Sequence, residues 1–196
     1  MSVLVALASG LGWINAVLLA AARGVGAVCL GVMTAVILTQ VFCRYVLGNA
    51  LPWPEEASRF LMLWLTGLMA PTALRRGGFV TIEMLVILLP RVVAALVALL
   101  MLAVILLILS VGFDIAWGQV FGFDGRFATD SLWLPVSLDL SQWIKVPRAW
   151  AMASLAVGST LMISVTIELM LRAGVALFGG AARLPVIAGA QVAGAE

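Results

Sequence analysis

The sequence predicts an all-α integral membrane protein, a four-helix bundle with interfacial segments that forms a single membrane domain over residues 1–196. Three observations carry this. Mean hydropathy is +1.21 and only 10% of the residues are charged, whereas a soluble domain carries about 25% to cover its water-facing surface. The charges are also unevenly spread. None falls between Gly24 and Cys43, between Val92 and Phe113, or between Ala149 and Ile167, giving uncharged runs of 20, 22 and 19 residues. Each matches the roughly 20 helical residues that cross a hydrocarbon core about 30 Å thick.

Taken in chain order, the spans are expected at about 24–43, 56–74, 92–113 and 149–171. Residues before Arg23 carry no charge, hence no basic n-region of a signal peptide. They read as an interfacial or continuing helix, with Trp13 near the headgroups and Arg23 at the boundary. The second span is the shortest, with 15 uncharged residues from Phe60 to Leu74. It reaches spanning length if the helix starts near Pro54 and ends at Arg75-Arg76. Pro71 should kink it, since proline removes a backbone donor and crowds the preceding turn.

Small residues point to helices packed together. Ala27, Gly31 and Ala35 repeat every four residues in the first span; Ala149 with Ala153, and Ser154 with Gly158, do so in the last. Such faces allow close approach where hydrophobicity gives helices no drive to associate. The 114–148 segment is too aromatic for a freely solvated loop, with Trp117, Phe121, Phe123, Phe127, Trp133 and Trp143. It reads as a structured interfacial cap with room for a short interfacial helix, or as a docking surface for another protein. Tryptophan favours the membrane–water interface.

Loop charges favour a cytoplasmic location for both termini. The 75–91 loop holds Arg75, Arg76 and Arg91 against Glu83, while the 114–148 loop holds four aspartates against three bases. A net charge of +2 with no basic patch excludes a nucleic-acid partner. The chain has no histidine, so His-ligated haem or metal and imidazole acid–base chemistry are excluded, and no cofactor is expected. Cys29 and Cys43 read as small buried hydrophobes. Glu168 and Arg172 read as an i,i+4 pair at the membrane interface.

The richest stretch runs from Phe42 to Glu83. Pro54 suits a first helical turn, and Glu55 and Glu56 sit at the positive end of the helix dipole. Both acids lie within one turn of Arg59 and can pair with it. By itself this describes a capped helix that starts at the membrane surface. The ordered set Arg44-Tyr45, Trp53, Glu55-Glu56, Arg59, Trp64 and Arg75-Arg76-Gly77-Gly78 resembles the small membrane subunit, the DctQ-like component, of tripartite ATP-independent periplasmic (TRAP) transporters. The resemblance covers residues 20–172. One departure is Phe79, where the family often has a histidine after the glycine turn, so no imidazole role carries over.

The resemblance implies a non-enzymatic subunit of a bacterial inner-membrane secondary transporter. Its partners would be membrane lipid, a large multi-span permease subunit that carries the substrate and ion sites, and a periplasmic solute-binding protein that delivers a small solute such as an organic acid. It further implies that Arg44, Tyr45, Trp53, Glu55, Glu56 and Arg59 form an intersubunit or scaffold cluster. The alternatives are a four-helix anchor subunit of a respiratory complex, since quinone binding needs no histidine, and the small subunit of a tripartite tricarboxylate transporter. A self-sufficient channel lacks a mid-membrane acid in any span, and an intramembrane enzyme would lack a base beside its serines.

Overall fold

The computed structural model describes residues 2–49, 51–77, 90–122, 127–135, 143–177, 185 and 187. Among these lie four helices: α1 (Ser2–Tyr45), α2 (Trp53–Arg75), α3 (Arg91–Phe121) and α4 (Arg148–Leu177). A small antiparallel sheet of β1 (Ala128–Pro135) and β2 (Trp143–Pro147) separates the last two. Three of the helices, α1, α3 and α4, are long and apolar enough to cross a membrane. The all-α membrane architecture expected from the charge-free runs is the one observed. Phe79 to Glu83 lie outside the described residues.

Helix α1 starts at Ser2 and runs unbroken for 44 residues, so the stretch before Arg23 is a continuing helix. At 1.5 Å per residue it is about 66 Å long, roughly twice the hydrocarbon thickness. It ends where Gly48, at φ 64°, lets the Asn49 N–H turn back to the Cys43 carbonyl (3.1 Å); a side chain would be strained in that left-handed conformation. Helix α2 opens with buried Pro54 and the acidic pair Glu55 and Glu56 in its first turn. It closes at Gly77, φ 83°, whose N–H reaches the Leu74 carbonyl at 3.4 Å. Helix α3 extends eight residues past the predicted span end at 113. There Phe113, Trp117 and Phe121 stack at i,i+4 spacing, with ring centroids 5.6 and 4.7 Å apart.

The cap between α3 and α4 therefore begins as helix and continues as strands, with no separate interfacial helix among its described residues. β1 and β2 pair from Pro135 opposite Trp143 to Trp133 opposite Lys145, and the register breaks between Trp133 and Ala128. On this sheet the Lys145 ammonium lies 5.2 Å from the Trp133 ring, a cation–π contact. The Arg148 N–H bonds the Phe127 carbonyl at 2.9 Å, which ties the first residue of α4 to the approach to β1.

The chain divides into two compact units. One comprises Met1–Ala21, Met69–Gly112 and Ser159–Glu196; the other comprises Ala22–Leu68 and Phe113–Gly158. In the first unit Leu19 of α1, Leu74 of α2 and Val165 of α4 form the buried core, with Met162 and Leu169 packed on it. The α1 stripe facing inward is Ala8, Gly12, Asn15 and Leu19, spaced four and three apart, while Trp13, Ile14, Val17 and Leu18 are exposed. Spacings of four and three keep these residues on one face of the helix. In the second unit α2 and α4 cross at Gly67 and Gly158. A Cβ built on Gly67 would sit 2.5 Å from the Ser154 carbonyl oxygen, and one on Gly158 would sit 2.9 Å from Gly67 Cα. Pro71 contributes to this crossing, because its missing N–H leaves the Gly67 carbonyl without its i+4 donor. That oxygen then faces the Cα of Gly158, an arrangement suited to a weak Cα–H···O contact.

The two predicted small faces thus have different fates. Ser154 and Gly158 are used in packing, whereas Ala27, Gly31 and Ala35 are exposed and Gly31 has nothing within 4 Å. Burial differs in the same sense between helices. In the most apolar window of α1 and of α3 only 6% of the residues are buried, against 39% in α4. Helix α4 is the most buried of these three, and α1 and α3 leave most of their surface exposed.

Candidate functional site: an exposed and a buried charge cluster

The first cluster is the one the sequence singles out, at the end of α1 and the start of α2. Arg44 lies over the Tyr45 ring at 5.8 Å, and both Tyr45 and Trp53 are exposed. Glu55 and Arg59 pair at 3.2 Å along one face of α2, with side chains 74% and 72% exposed. Glu56, one position on, is half-buried. An exposed i,i+4 pair contributes only about 0.3–0.5 kcal/mol. The Glu55–Arg59 pair therefore adds little to the stability of the chain itself, and Arg44, Tyr45, Trp53, Glu55 and Arg59 are exposed at its surface.

The second cluster was legible in the sequence only as the pair Glu168–Arg172. The structure places Glu168 at 0% exposure and surrounds it with three donors. Arg75, the last residue of α2, forks onto the carboxylate: its Nε donates to Oε2 at 3.0 Å and its Nη2 to Oε1 at 2.9 Å. Arg172, one turn along α4, donates from Nε to Oε1 at 2.9 Å. Asn15 of α1 donates from Nδ2 to Oε2 at 2.8 Å. All four lone-pair directions of the carboxylate are thereby occupied. The arginine fork is the strong, planar form of carboxylate recognition.

Outer contacts hold the donors in place. Arg75 Nη2 also donates to the Gly12 carbonyl at 2.7 Å. Asn15 accepts from Ser164 Oγ at 2.7 Å and donates to the Ser164 carbonyl at 3.3 Å. Arg172 Nη1 donates to the Pro185 carbonyl at 2.9 Å, bringing the chain beyond α4 back to the cluster. Gly12 fits because it is bare: a Cβ there would lie 2.9 Å from Glu168 Oε1 and 3.0 Å from Arg172 Nη2. Close by, the Thr72 hydroxyl is buried without a partner among the described residues.

The physical reason for this clustering is visible in hindsight. Arg75 and Glu168 each close a charge-free run, on α2 and α4 respectively. Two spanning helices that run in the same direction bring such C-terminal run ends to the same membrane face, where unpaired charges are costly and pair with one another. Asn15 alone gave no signal, because a single amide in an apolar helix reads as noise until its seam position is known.

Neither cluster is a catalytic constellation. Among the described residues no group of three His, Cys, Asp or Glu side chains could hold a metal, and the one buried carboxylate is saturated by donors. What the fold and the two clusters define is a polytopic membrane protein whose buried charges fasten its own helices while its outer surface stays apolar and open. Residues 33–174 match the family described as the DctQ component of tripartite ATP-independent periplasmic transporters. The chain belongs to that family and is therefore a transporter component of the inner membrane. No curated protein matches the chain significantly.

Proposed function

We propose that this chain is the small scaffolding subunit of a TRAP-type secondary transporter. It braces a large multi-span permease subunit during binding-protein-dependent, ion-coupled uptake of a small solute such as an organic acid. The observation that carries the reading is the family match over most of the chain. The surface supports it, since α1 and α3 are apolar yet almost entirely outward-facing, as befits helices covered by lipid and by another membrane protein. On this reading the substrate is chosen by other polypeptides.

In this reading both termini lie in the cytoplasm, and Arg44, Tyr45, Trp53, Glu55, Glu56 and Arg59 contact the partner subunit on the opposite side. The test is capture of the tagged chain from its native membranes in mild detergent, with masses of everything retained. A stoichiometric multi-span membrane protein is expected; clean recovery of this chain alone would overturn the assignment. Neutralising Glu55 and Glu56 together should lower recovery of the partner and uptake, and normal values for both would remove the cluster from the interface.

A further inference from the structure

The buried cluster holds more positive charge than its carboxylate can balance. Arg75 and Arg172 both converge on Glu168 within one compact unit. The surplus is not made good elsewhere in that unit. Its segments, Met1–Ala21, Met69–Gly112 and Ser159–Glu196, contain Arg75, Arg76, Arg91, Arg172 and Arg183 against Glu83, Glu168 and Glu196. Every acidic residue of those segments is in that count. In the other unit six basic residues meet six acidic ones. The whole net charge of +2 therefore belongs to the unit that encloses Glu168.

The two arginines also keep donors in reserve. Arg75 spends Nε and Nη2 on Glu168 and the Gly12 carbonyl, and its Nη1 has no partner among the described residues. Arg172 spends Nε on Glu168 and Nη1 on the Pro185 carbonyl, and its Nη2 is likewise unclaimed. Neither amino group is enclosed, since the enclosed side-chain atom without a partner among the described residues is Thr72 Oγ1. Both guanidinium groups donate to Glu168 Oε1 at 2.9 Å, which makes them immediate neighbours. Arg76, just past the end of α2, is exposed and forms no side-chain hydrogen bond or ion pair among the described residues.

We propose that the open edges of Arg75 and Arg172 hold the phosphate of an anionic phospholipid, with the charge of Arg76 reinforcing the attraction. Charge complementarity selects the occupant. Guanidinium groups bind phosphate through paired N–H donors, and basic pockets between spanning helices take up anionic headgroups. Glu168 is then a positioning residue. Its carboxylate is filled by donors and fixes the planes of both guanidinium groups, and their outer edges are left to the lipid. The site concerns this chain alone and stands apart from the scaffold reading.

The experiment is thermal unfolding of the full chain, delipidated in dodecyl maltoside, with added phosphatidylglycerol, phosphatidylcholine or inorganic phosphate. Native mass spectrometry counts the lipid retained. Phosphatidylglycerol should raise the unfolding temperature and stay bound, and the other two should do neither. Arg76→Gln should weaken phosphatidylglycerol binding about fivefold, the worth of one basic residue beside an anionic headgroup. Arg172→Lys, which keeps a cation for Glu168 and loses the spare amino group, should weaken it at least as much. Lys145→Gln removes the same charge from the other unit and should leave binding unchanged.

No response to phosphatidylglycerol, or an equal response to phosphatidylcholine, would overturn the proposal. Equal weakening by Lys145→Gln and Arg76→Gln would also overturn it, reducing the effect to overall charge. Stabilisation by inorganic phosphate alone would replace the lipid with a free anion. Arg76→Gln keeps the test decisive even where Arg172→Lys fails to fold, because the Arg76 side chain bonds nothing among the described residues.

Discussion

The two charge clusters use the same chemistry, arginine on glutamate at i,i+4 spacing, in opposite settings. Glu55 and Arg59 meet at 3.2 Å with both side chains about three-quarters exposed. Glu168 and Arg172 meet at 2.9 Å with the carboxylate fully enclosed, and a second arginine and an asparagine from other helices complete its shell. Sequence spacing is identical; consequence is not. At the surface the pair is screened and entropically costly to hold. In the interior the charges cannot be solvated once separated, so the pair fixes how α1, α2 and α4 meet. One cluster is therefore available to a partner, and the other is committed to the fold.

The largest expected break in this contrast comes from Glu168→Ala, which leaves two enclosed guanidinium groups without their carboxylate. A loss of about 3–5 kcal/mol is expected, read as a large fall in the unfolding temperature of the detergent-solubilised chain. A loss as small as that of the surface pair would end the distinction.

Next in size is Gly67→Ala, which drives a methyl group into the Ser154 carbonyl and prises α2 from α4. Overpacking of this kind costs about 1–3 kcal/mol. Thermal unfolding should show it, and Gly31→Ala, with open space around it, is the control that should not.

Asn15→Leu sharpens the comparison from the α1 side. It removes one donor from Glu168 and orphans Ser164 Oγ, for about 1–3 kcal/mol. An unchanged unfolding temperature would show that α1 is held by its seam alone.

Smaller still is Thr72→Val, which keeps the shape and removes a buried hydroxyl that has no partner among the described residues. Stability should be unchanged or higher by about 1 kcal/mol; a clear loss would reveal a hydrogen bond to that hydroxyl. Glu55→Gln with Arg59→Gln should change stability by under about 0.5 kcal/mol, with any larger effect confined to recovery of the partner.

Much of this is legible in the sequence alone. Long charge-free runs require helices because only helices satisfy backbone groups in hydrocarbon without partners, and that dictated the membrane class. The signature from Arg44 to Gly78 pointed to the family that the match over residues 33–174 shows. Less legible was the 114–148 segment. Its aromatics marked a structured cap, but a helical extension followed by a strand pair has the same composition as an interfacial helix. Helix α1 was opaque for another reason. It is apolar on every face, so no stripe stands out; its packed seam is chosen by the small size of Ala8 and Gly12 and by one amide at Asn15.

The sequence by itself determined the solvent of this protein, the existence of its spanning helices and the charged residues at their ends. Those are properties of one segment at a time, set by hydropathy and backbone hydrogen bonding. Only the tertiary structure decided that Glu168 belongs to Arg75 and Asn15 as much as to Arg172, and that one small-residue face is packed while another stays open. Those outcomes depend on which helix faces meet. In a chain this apolar, hydrophobicity does not select among faces; close packing and the pairing of a few enclosed charges do.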